Sequence, residues 1–242
     1  FPRHDGDAAG SFVLRLATAL ERAGVTVQVV APAARDLAAQ ARLDGVPVSR
    51  FRYAPRALET LAYAGNMAAQ VKESWPARLA LGGMLCGELR SARRATRETS
   101  PDLIHAHWWF PSGLVASAAR ALGGVPFVTT FHGSDVRLVR SIPAARPLLR
   151  QVMRRSARVT AVSRWLATQA HEVAGDVMPI VAPMPAATEL FFPDADVRRG
   201  DALLFVGRLT RQKGIDLLLR AVALRPASIS LRRIHLRNVS AD

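Results

Sequence analysis

Two histidine-bearing segments hold the side chains best suited to chemistry. His107 ends a short apolar segment, and His132 follows another and is itself followed by Gly133 and Asp135. A glycine at the end of a strand favours a sharp turn that presents the preceding imidazole to a ligand. An imidazole can hydrogen-bond a hydroxyl or assist proton transfer near neutral pH, so His132 is our candidate catalytic residue. The residues alone leave a structural alternative open, in which His132 caps the next helix or bonds a backbone carbonyl.

The same segments must be considered as a metal site. His105 and His107 alternate along one predicted strand, so their side chains share a face, and a His-x-His pair is found in metal-dependent hydrolases. Such a barrel enzyme needs further histidine and aspartate ligands at later strand ends. His171 falls in a predicted helix and His235 in the tail, so the set is incomplete. We expect no metal, and we interpret His105 as a hydrogen-bonded core residue.

A basic turn near residue 210 is the second candidate for chemistry. Gly207 and Arg208 follow an apolar segment, and Lys213 precedes a segment, residues 215–222, with helical periodicity. Free amide groups and the helix dipole attract anions at such a turn, and arginine and lysine are the usual phosphate-binding side chains. The pattern predicts binding of a diphosphate, although the same two cations could also be simply solvated.

The N-terminal residues form a loop rich in glycine and aspartate that leads into a helix. Gly6 and Gly10 lie in this loop, Ser11 is positioned to cap the helix predicted over residues 12–23, and Gly24 ends it. The loop has neither a Walker A ending nor a clean dinucleotide-binding pattern, which disfavours a dinucleotide-dependent oxidoreductase. Backbone amides at the start of the helix could still contact a phosphate.

The elements that position these residues alternate between strands and helices. The predicted strands are residues 25–30, 102–107, 125–131 and 158–163, and the predicted helices between and after them are residues 57–99, 114–122, 144–156 and 164–174. This order predicts an α/β fold with a Rossmann-like parallel sheet and helices on both faces. Ligands of such sheets bind beyond the carboxyl ends of the strands. That rule places the following candidates along one rim: Gly6, Gly10, Ser11, His107, His132, Gly133, Asp135 and Ser163.

Three stretches are expected to be irregular. Residues 31–60 are expected to be loop-like because prolines and glycines punctuate them, and the helix over residues 57–99 is expected to break around Pro76 and at Gly82 and Gly83. Prolines also recur between residues 179 and 193.

The domain organisation follows from this pattern. We predict a Rossmann-like domain over residues 1–178, a proline-rich linker over residues 179–200, and the incomplete start of a second Rossmann-like domain over residues 201–242. The first helix has no strand before it, so we expect that the chain is clipped at its N-terminal edge.

The composition indicates an anionic partner. The chain of 242 residues has a formal net charge of +14 and a single cysteine, which excludes an internal disulfide framework and favours a reducing, cytoplasmic compartment. Eight arginines and no acidic residue lie between residues 136 and 170, from Arg137 to Arg164. A specific nucleic-acid interface normally interleaves such charges with stacking aromatics, and Trp165 is the only one here. We therefore favour a peripheral location at an anionic membrane, at the inner face of the plasma membrane, over a nucleic-acid partner. The alternative is that the arginines reflect only the composition of a GC-rich genome.

Together these motifs resemble a known family, the family-4 retaining glycosyltransferases of GT-B fold. The resemblance is carried by the glycine-containing loop with its helix and by the motifs Asp102-Leu103-Ile104-His105-Ala106-His107, Phe131-His132-Gly133-Ser134-Asp135, Val162-Ser163, Leu190-Phe191-Phe192-Pro193, Val206-Gly207-Arg208-Leu209 and Lys213-Gly214. It covers residues 1 to about 224.

The resemblance implies an enzyme of glycan biosynthesis that moves a sugar from a nucleotide-sugar donor to an acceptor with retention and without a metal or other cofactor. It implies that Arg208 and Lys213, beside Gly207, neutralise the donor diphosphate and that His132 lies near the donor sugar. The loop over residues 6–11 would border donor and acceptor. Family members that act on lipid-linked acceptors bind the membrane through a basic N-terminal domain, which fits the segment from Arg137 to Arg164, and a polysaccharide precursor is the other acceptor class considered.

The chain departs from the family pattern near Leu224. Residues 225–242 contain no glutamate and no glycine, so they lack the family's Glu-x7-Glu segment, and we expect no family-like strand and turn there. The second domain is therefore predicted to be truncated. The alternative function is a catalytically inactive fragment that acts as an acceptor-binding or membrane-binding domain.

Overall fold

A computed structural model describes residues 1–7, 9–63, 65–189, 191–193, 196, 202–207, 213–224 and 233–237. The chain divides into two compact units, Phe1–Pro185 and Ala186–Asp242.

The first unit alternates strands and helices. Its strands are β1 (Val29–Pro32), β2 (Gln40–Leu43), β3 (Val46–Phe51), β4 (Ile104–His107), β5 (Phe127–Phe131), β6 (Arg158–Ala161) and β7 (Ile180–Val181). Its helices are α1 (Ser11–Arg22), α2 (Met67–Glu73), α3 (Trp75–Thr99), α4 (Leu114–Gly123), α5 (Ser134–Ser141), α6 (Arg146–Arg155) and α7 (Arg164–Ala174), with short 3-10 turns at Arg56–Leu58 and Pro143–Ala145. One sheet has the order β4-β5-β6-β7 and is parallel throughout, as predicted.

A second sheet contains a hairpin that corrects the expectation of a loop over residues 31–60. Its strand order is β1-β3-β2, with β1 parallel and β2 antiparallel to β3. Asp44 and Gly45 form the turn with φ of 47° and 85°, the left-handed conformation that two-residue hairpins require. An Asp-Gly pair between apolar segments is itself a hairpin signal. The hairpin was therefore predictable from the sequence, but the prolines of this stretch favoured the interpretation as a loop.

The helical stretch breaks at Ser74, between α2 and α3 and close to Pro76 as predicted, but α3 runs through Gly82 and Gly83, so the break expected at these glycines was wrong. Pro76 lies in the first turn, where its missing N–H has no intrahelical partner to lose. A side chain at Gly83 would collide with the carbonyl oxygen of Tyr53, and one at Gly87 would lie 2.8 Å from that of Arg52. These glycines therefore allow the helix to approach the backbone closely, and they do not interrupt it.

The core beside the parallel sheet fixes its carboxyl edge. Trp109, Phe127, Phe131, Leu149 and Met153 are all at most 1% exposed and belong to one cluster of buried side chains. Burial of side chains of this size stabilises a fold by roughly 1.5–3 kcal/mol each. The strand ends that carry His107 and His132 are thus anchored against this cluster of buried side chains.

The second unit contains β8 (Ala202–Val206), α8 (Ile215–Ala223) and β9 (Arg233–Arg237). Strand β8 and helix α8 match the apolar segment and the periodic segment predicted from the sequence. The tail after Leu224, where we expected no family-like strand and turn, includes β9, which pairs in parallel with β8 over five residue pairs. Alternating apolar and basic residues from 233 to 237 have the two-residue period of a strand.

Within the part of the chain that is described, none of the helices combines the length and apolar character needed to cross a lipid bilayer.

Candidate functional site

The turn after β5 presents His132. Gly133 has φ of 108°, a conformation open to glycine, and α5 begins at the next residue. The carboxylate of Asp135 is buried beneath this turn and accepts the backbone N–H groups of His132 at 3.3 Å, Gly133 at 2.8 Å and Val136 at 3.0 Å. Burial raises the pKa of Asp135, and these hydrogen bonds oppose that rise. Asp135 therefore shapes the turn.

Trp109 supports the same turn from below. Its side chain is 1% exposed, and its indole N–H donates to the carbonyl oxygen of Asp135 at 2.8 Å. A buried indole N–H needs such a partner, so the two buried groups satisfy each other.

His107 and His132 form a hydrogen-bonded pair. Nδ1 of His107 lies 2.9 Å from Nε2 of His132, and the ring centroids are 5.1 Å apart. Burial lowers the pKa of His132 to about 4, with a further contribution from the charge of a protonated His105. Burial likewise lowers the pKa of His107, and the neighbouring imidazoles of His105 and His132 lower it further. Both rings are thus neutral at physiological pH.

His105 lies beneath this pair, on the same face of β4 as predicted. Its ring stacks on that of His107, with centroids 4.4 Å apart and planes inclined by 25°. Its Nε2 lies 2.7 Å from the hydroxyl of Thr130, which lies 2.7 Å from the hydroxyl of Thr160 on the next strand. The interpretation of His105 as hydrogen-bonded is confirmed, although the residue remains exposed at the edge of its sheet.

Two aromatic side chains flank His132. The ring of Trp108 lies 4.7 Å from the imidazole, and that of Phe12, in the first turn of α1, lies 5.2 Å from it. Trp108 directly follows His107 and was predicted to lie at the same rim. Phe12 was not among the sequence candidates, although it directly follows Ser11 of the loop placed at that rim.

The N-terminal loop adopts a fixed shape around a buried carboxylate. Asp7 is 5% exposed, pairs with the Arg3 guanidinium at 2.7 Å and accepts the N–H of Ala9 at 3.0 Å. The hydrogen bond from the Arg3 side chain is the largest cause that holds the pKa of Asp7 well below its usual range. Gly6 has φ of 78° in this loop.

Helix α1 begins with a different cap from the one predicted. Gly10, with φ of 73°, occupies the cap position and Ser11 is the first helical residue, so the prediction that Ser11 caps the helix was wrong. Gly24, with φ of 85°, follows the end of the helix as predicted.

A buried arginine ties the loop to the sheet. Arg50 on β3 is 6% exposed and donates to the carbonyl oxygens of Pro2 at 2.7 Å and Arg3 at 3.1 Å. It also donates to the hydroxyl of Tyr63 at 2.8 Å, and that hydroxyl donates to the carbonyl oxygen of Pro32 at 2.6 Å. No sequence pattern signals these contacts between residues 47 and 48 positions apart.

Ser163 lies at the same edge of the sheet and caps a helix. Its hydroxyl accepts the N–H of Leu166 at 3.2 Å at the start of α7, a hydrogen bond typical of an N-cap.

In the second unit, Gly207 directly follows β8 and Lys213 is exposed just before α8. Arg208 lies outside the described residues.

The arrangement around His132 can hydrogen-bond a hydroxyl through a neutral imidazole and pack aromatic faces against an apolar surface, as on a sugar ring. Among the residues whose positions are described, no group of three or more His, Cys, Asp or Glu side chains is arranged to hold a metal ion.

Comparison with known proteins extends this description. The sequence profile described as Glycosyltransferase Family 4 matches residues 9–181. A D-inositol 3-phosphate glycosyltransferase from Frankia alni is 32% identical over 243 aligned residues, which cover 90% of this chain and 56% of that protein. An uncharacterized glycosyltransferase from Methanocaldococcus jannaschii is 30% identical over 121 residues, which cover 50% of this chain and 33% of that protein. The chain thus spans about half the length of these curated relatives, or less.

A solved structure shows the same fold. The sucrose-phosphate synthase of Thermosynechococcus elongatus superposes with a TM-score of 0.53 at 14% identity, over 75% of this chain and 87% of that one. This likeness confirms the α/β, GT-B fold class predicted from the sequence.

Proposed function

Because this chain belongs to glycosyltransferase family 4, we propose that it contributes to a retaining transfer of a sugar from a nucleotide-sugar donor to an acceptor, without a metal ion. In this reaction the bond between the anomeric carbon and the donor diphosphate breaks, and the electron pair leaves with the diphosphate oxygen. The acceptor oxygen bonds to the anomeric carbon, and its proton passes to the leaving diphosphate. Negative charge therefore builds on the diphosphate and positive charge on the sugar.

The observation that carries this proposal is the position of His132. It stands at the carboxyl end of a central parallel strand, on a turn held by Asp135, between Phe12 and Trp108. A neutral imidazole there suits a hydrogen bond to a sugar hydroxyl, and its low pKa avoids a cation beside a sugar that becomes positive. We assign the loop with Gly6, Gly10 and Ser11, and the rim residues His107, Gly133 and Ser163, to the surroundings of donor and acceptor.

The donor diphosphate is assigned to the basic turn of the second unit. Lys213 is exposed at the N-terminal end of α8, where the helix dipole favours an anion. With Arg208 and the backbone at Gly207, it would stabilise the leaving diphosphate electrostatically.

Calorimetric titration of the intact chain tests this assignment. UDP-glucose, UDP-N-acetylglucosamine and GDP-mannose serve as probes, and we expect saturable binding of at least one. Lys213→Ala should weaken that binding at least tenfold. Lys72→Ala is the matched control, because Lys72 is the other lysine of the chain and is also exposed. Equal affinities of the two variants would remove Lys213 from the site, and no binding of any probe by the wild-type chain would overturn its role as a donor-binding unit.

We also propose that the surface from Arg137 to Arg164 contacts an anionic membrane. The support is the combination of positive charge with exposed apolar side chains: Trp165 is 68% exposed, Ile142 49% and Leu148 42%. Arginines attract anionic headgroups, and a tryptophan suits the membrane–water interface.

Vesicle co-sedimentation tests the membrane proposal. Vesicles with phosphatidylserine should bind the chain more strongly than pure phosphatidylcholine, and Trp165→Ala should reduce that binding. Trp75→Ala is the control, because Trp75 is similarly exposed, at 70%, on helix α3. Equal binding to both vesicle types, or equal effects of the two substitutions, would refute this surface.

A further inference from the structure

The pairing of His107 with His132 fixes which nitrogen of His132 is available to a ligand. Nε2 of His132 faces Nδ1 of His107 at 2.9 Å, within hydrogen-bond distance. No hydrogen bond joins Nδ1 of His132 to any other residue in the described part of the chain. Nε2 of His132 is therefore hydrogen-bonded to His107, and Nδ1 remains available to a ligand.

The backbone holds both imidazoles in register. His107 pairs with Thr130 across β4 and β5, and the N–H of Trp108 donates to the carbonyl oxygen of Thr130 at 2.8 Å. His132 follows two residues later, on the turn held by Asp135. The two side chains thus extend from neighbouring strands whose relative position is set by main-chain hydrogen bonds.

Ring packing restricts the alternative orientations. The His105 ring stacks against His107 on one side, and Phe12 and Trp108 lie against His132. A flipped His132 ring would exchange a hydrogen-bonded nitrogen for a C–H group facing His107, which would leave a partly buried donor or acceptor unsatisfied.

We propose that His107 is a positioning residue, which occupies Nε2 of His132 and leaves Nδ1 as the nitrogen that meets the ligand. This inference rests on the proposed function for the identity of the ligand, a sugar hydroxyl, but the positioning itself does not depend on it.

The pair has two arrangements with the same number of protons. If Nδ1 of His107 carries its proton and donates, His132 is protonated at Nδ1 and offers a donor to the ligand. If Nε2 of His132 donates, His107 is protonated at its own Nε2 and His132 offers an acceptor at Nδ1. The tautomer of His107 thereby sets the hydrogen-bonding character of His132, and both arrangements assign the ligand to Nδ1.

Nitrogen NMR of the intact chain labelled with 15N-histidine tests the inference without any ligand. We expect a 15N–15N coupling through the hydrogen bond between Nδ1 of His107 and Nε2 of His132, together with the two distinct ring-nitrogen shifts of a single His132 tautomer. Averaged His132 shifts without this coupling would overturn the proposal. This measurement needs no substitution, so a variant that fails to fold does not affect it.

Substitutions then separate positioning from packing. His107→Ala should abolish the coupling and move the His132 shifts toward their average. His107→Asn places an amide near the original Nδ1 and should restore distinct shifts. His105→Ala is the matched control, because it removes an imidazole from the same strand that stacks on His107 without bonding His132. Unchanged His132 shifts in His107→Ala, or equal changes in His105→Ala, would reduce His107 to a packing role.

A titration with UDP-glucose addresses the ligand side. Binding should shift Nδ1 of His132 more than Nε2, and a larger shift at Nε2 would contradict the inference. Absence of binding would count against the proposed function with this probe, whereas the coupling in the free chain would still decide the role of His107.

Discussion

The turn that carries His132 and the N-terminal loop lie near each other, since Phe12 reaches His132, but they are held in different ways. The turn is organised by Asp135, whose carboxylate accepts N–H groups within three residues of itself. The loop has a local ion pair as well, between Arg3 and Asp7, but its attachment to the sheet depends on Arg50, 47 residues away from Arg3. The His132 turn is thus held by residues close to it in the sequence, whereas the N-terminal loop depends on Arg50 of β3, which is far from it in the sequence.

This difference predicts how the stability of each region responds when its organising side chain is substituted. A local carboxylate forms its hydrogen bonds as soon as the turn closes, and its loss affects a few backbone groups. A buried cation that joins distant segments is required for their relative placement, and its loss leaves carbonyl oxygens and a hydroxyl buried without their partner. The substitutions below test this contrast.

The largest effect is expected for Arg50→Met, which removes the anchor of the loop. Three acceptors lose their charged donor, and hydrogen bonds to charged groups contribute roughly 1.5–3 kcal/mol each, so the free energy of unfolding should fall by about 3 kcal/mol or more. All four tryptophans lie in the first unit, so urea unfolding followed by fluorescence reports on it. Arg42→Met is the control, because Arg42 is exposed and donates to a single carbonyl oxygen, that of Gly45. If Arg50→Met and Arg42→Met lower the free energy of unfolding equally, the buried hydrogen bonds of Arg50 do not hold the loop in place.

Asp135→Ala should have the next largest effect. It leaves the N–H groups of His132, Gly133 and Val136 without their acceptor, at a cost of about 2 kcal/mol. Asp135→Asn retains an acceptor oxygen and should lose less. Urea unfolding compares both with Asp102→Ala, an exposed aspartate just before β4. If Asp135→Ala is no more destabilising than this control, the turn is not held by its carboxylate.

Acidification should weaken the His132 turn before the loop. The pKa of His132 is about 4 in the folded chain and about 6.5 when unfolded, so between these values the unfolded state binds more protons and stability falls as the pH falls. His132 alone should account for a loss of about 1–2 kcal/mol between pH 7 and pH 5, which His132→Asn should remove, and the lowered pKa of His107 adds a further loss. The pKa of Asp7 is lowered, so its contribution is lost only at more acidic pH.

Hydrogen exchange at pH 7 and 5, corrected for intrinsic rates, checks this order. Protection should fall first around residues 130–136 and later around residues 3–9. Simultaneous loss would mean that the two regions open as one unit.

The smallest effect is expected for Gly133→Ala. A Cβ at Gly133 would meet no atom within 4 Å, so only the positive φ opposes it, at a cost of about 1–2 kcal/mol. Gly123→Ala is the control, because it also meets no atom but lies in the last turn of α4, where alanine should be neutral or stabilising. A neutral Gly133→Ala in thermal unfolding would show that the turn does not need its left-handed backbone.

Much of the framework could be predicted from the sequence because local patterns encode it. The segments ending at His107 and His132 alternate or run apolar in the way strands do, and the rule that ligands bind at the carboxyl ends of parallel strands placed both histidines at one rim. The β2–β3 hairpin was missed although Asp44 and Gly45 signal it. A break was expected within helix α3 because the sequence does not distinguish a glycine that ends a helix from one that allows a close backbone contact.

The sequence by itself determined the family, the α/β order of the elements and which imidazole stands at a strand end. Only the tertiary structure decided that Asp135 accepts the backbone N–H groups of the turn, that Arg50 secures the N-terminal loop, and that Nε2 of His132 bonds His107. The reason is physical: strand and helix patterns follow from neighbouring residues, whereas a hydrogen bond between residues 25 or 47 positions apart exists only after the fold has brought them together.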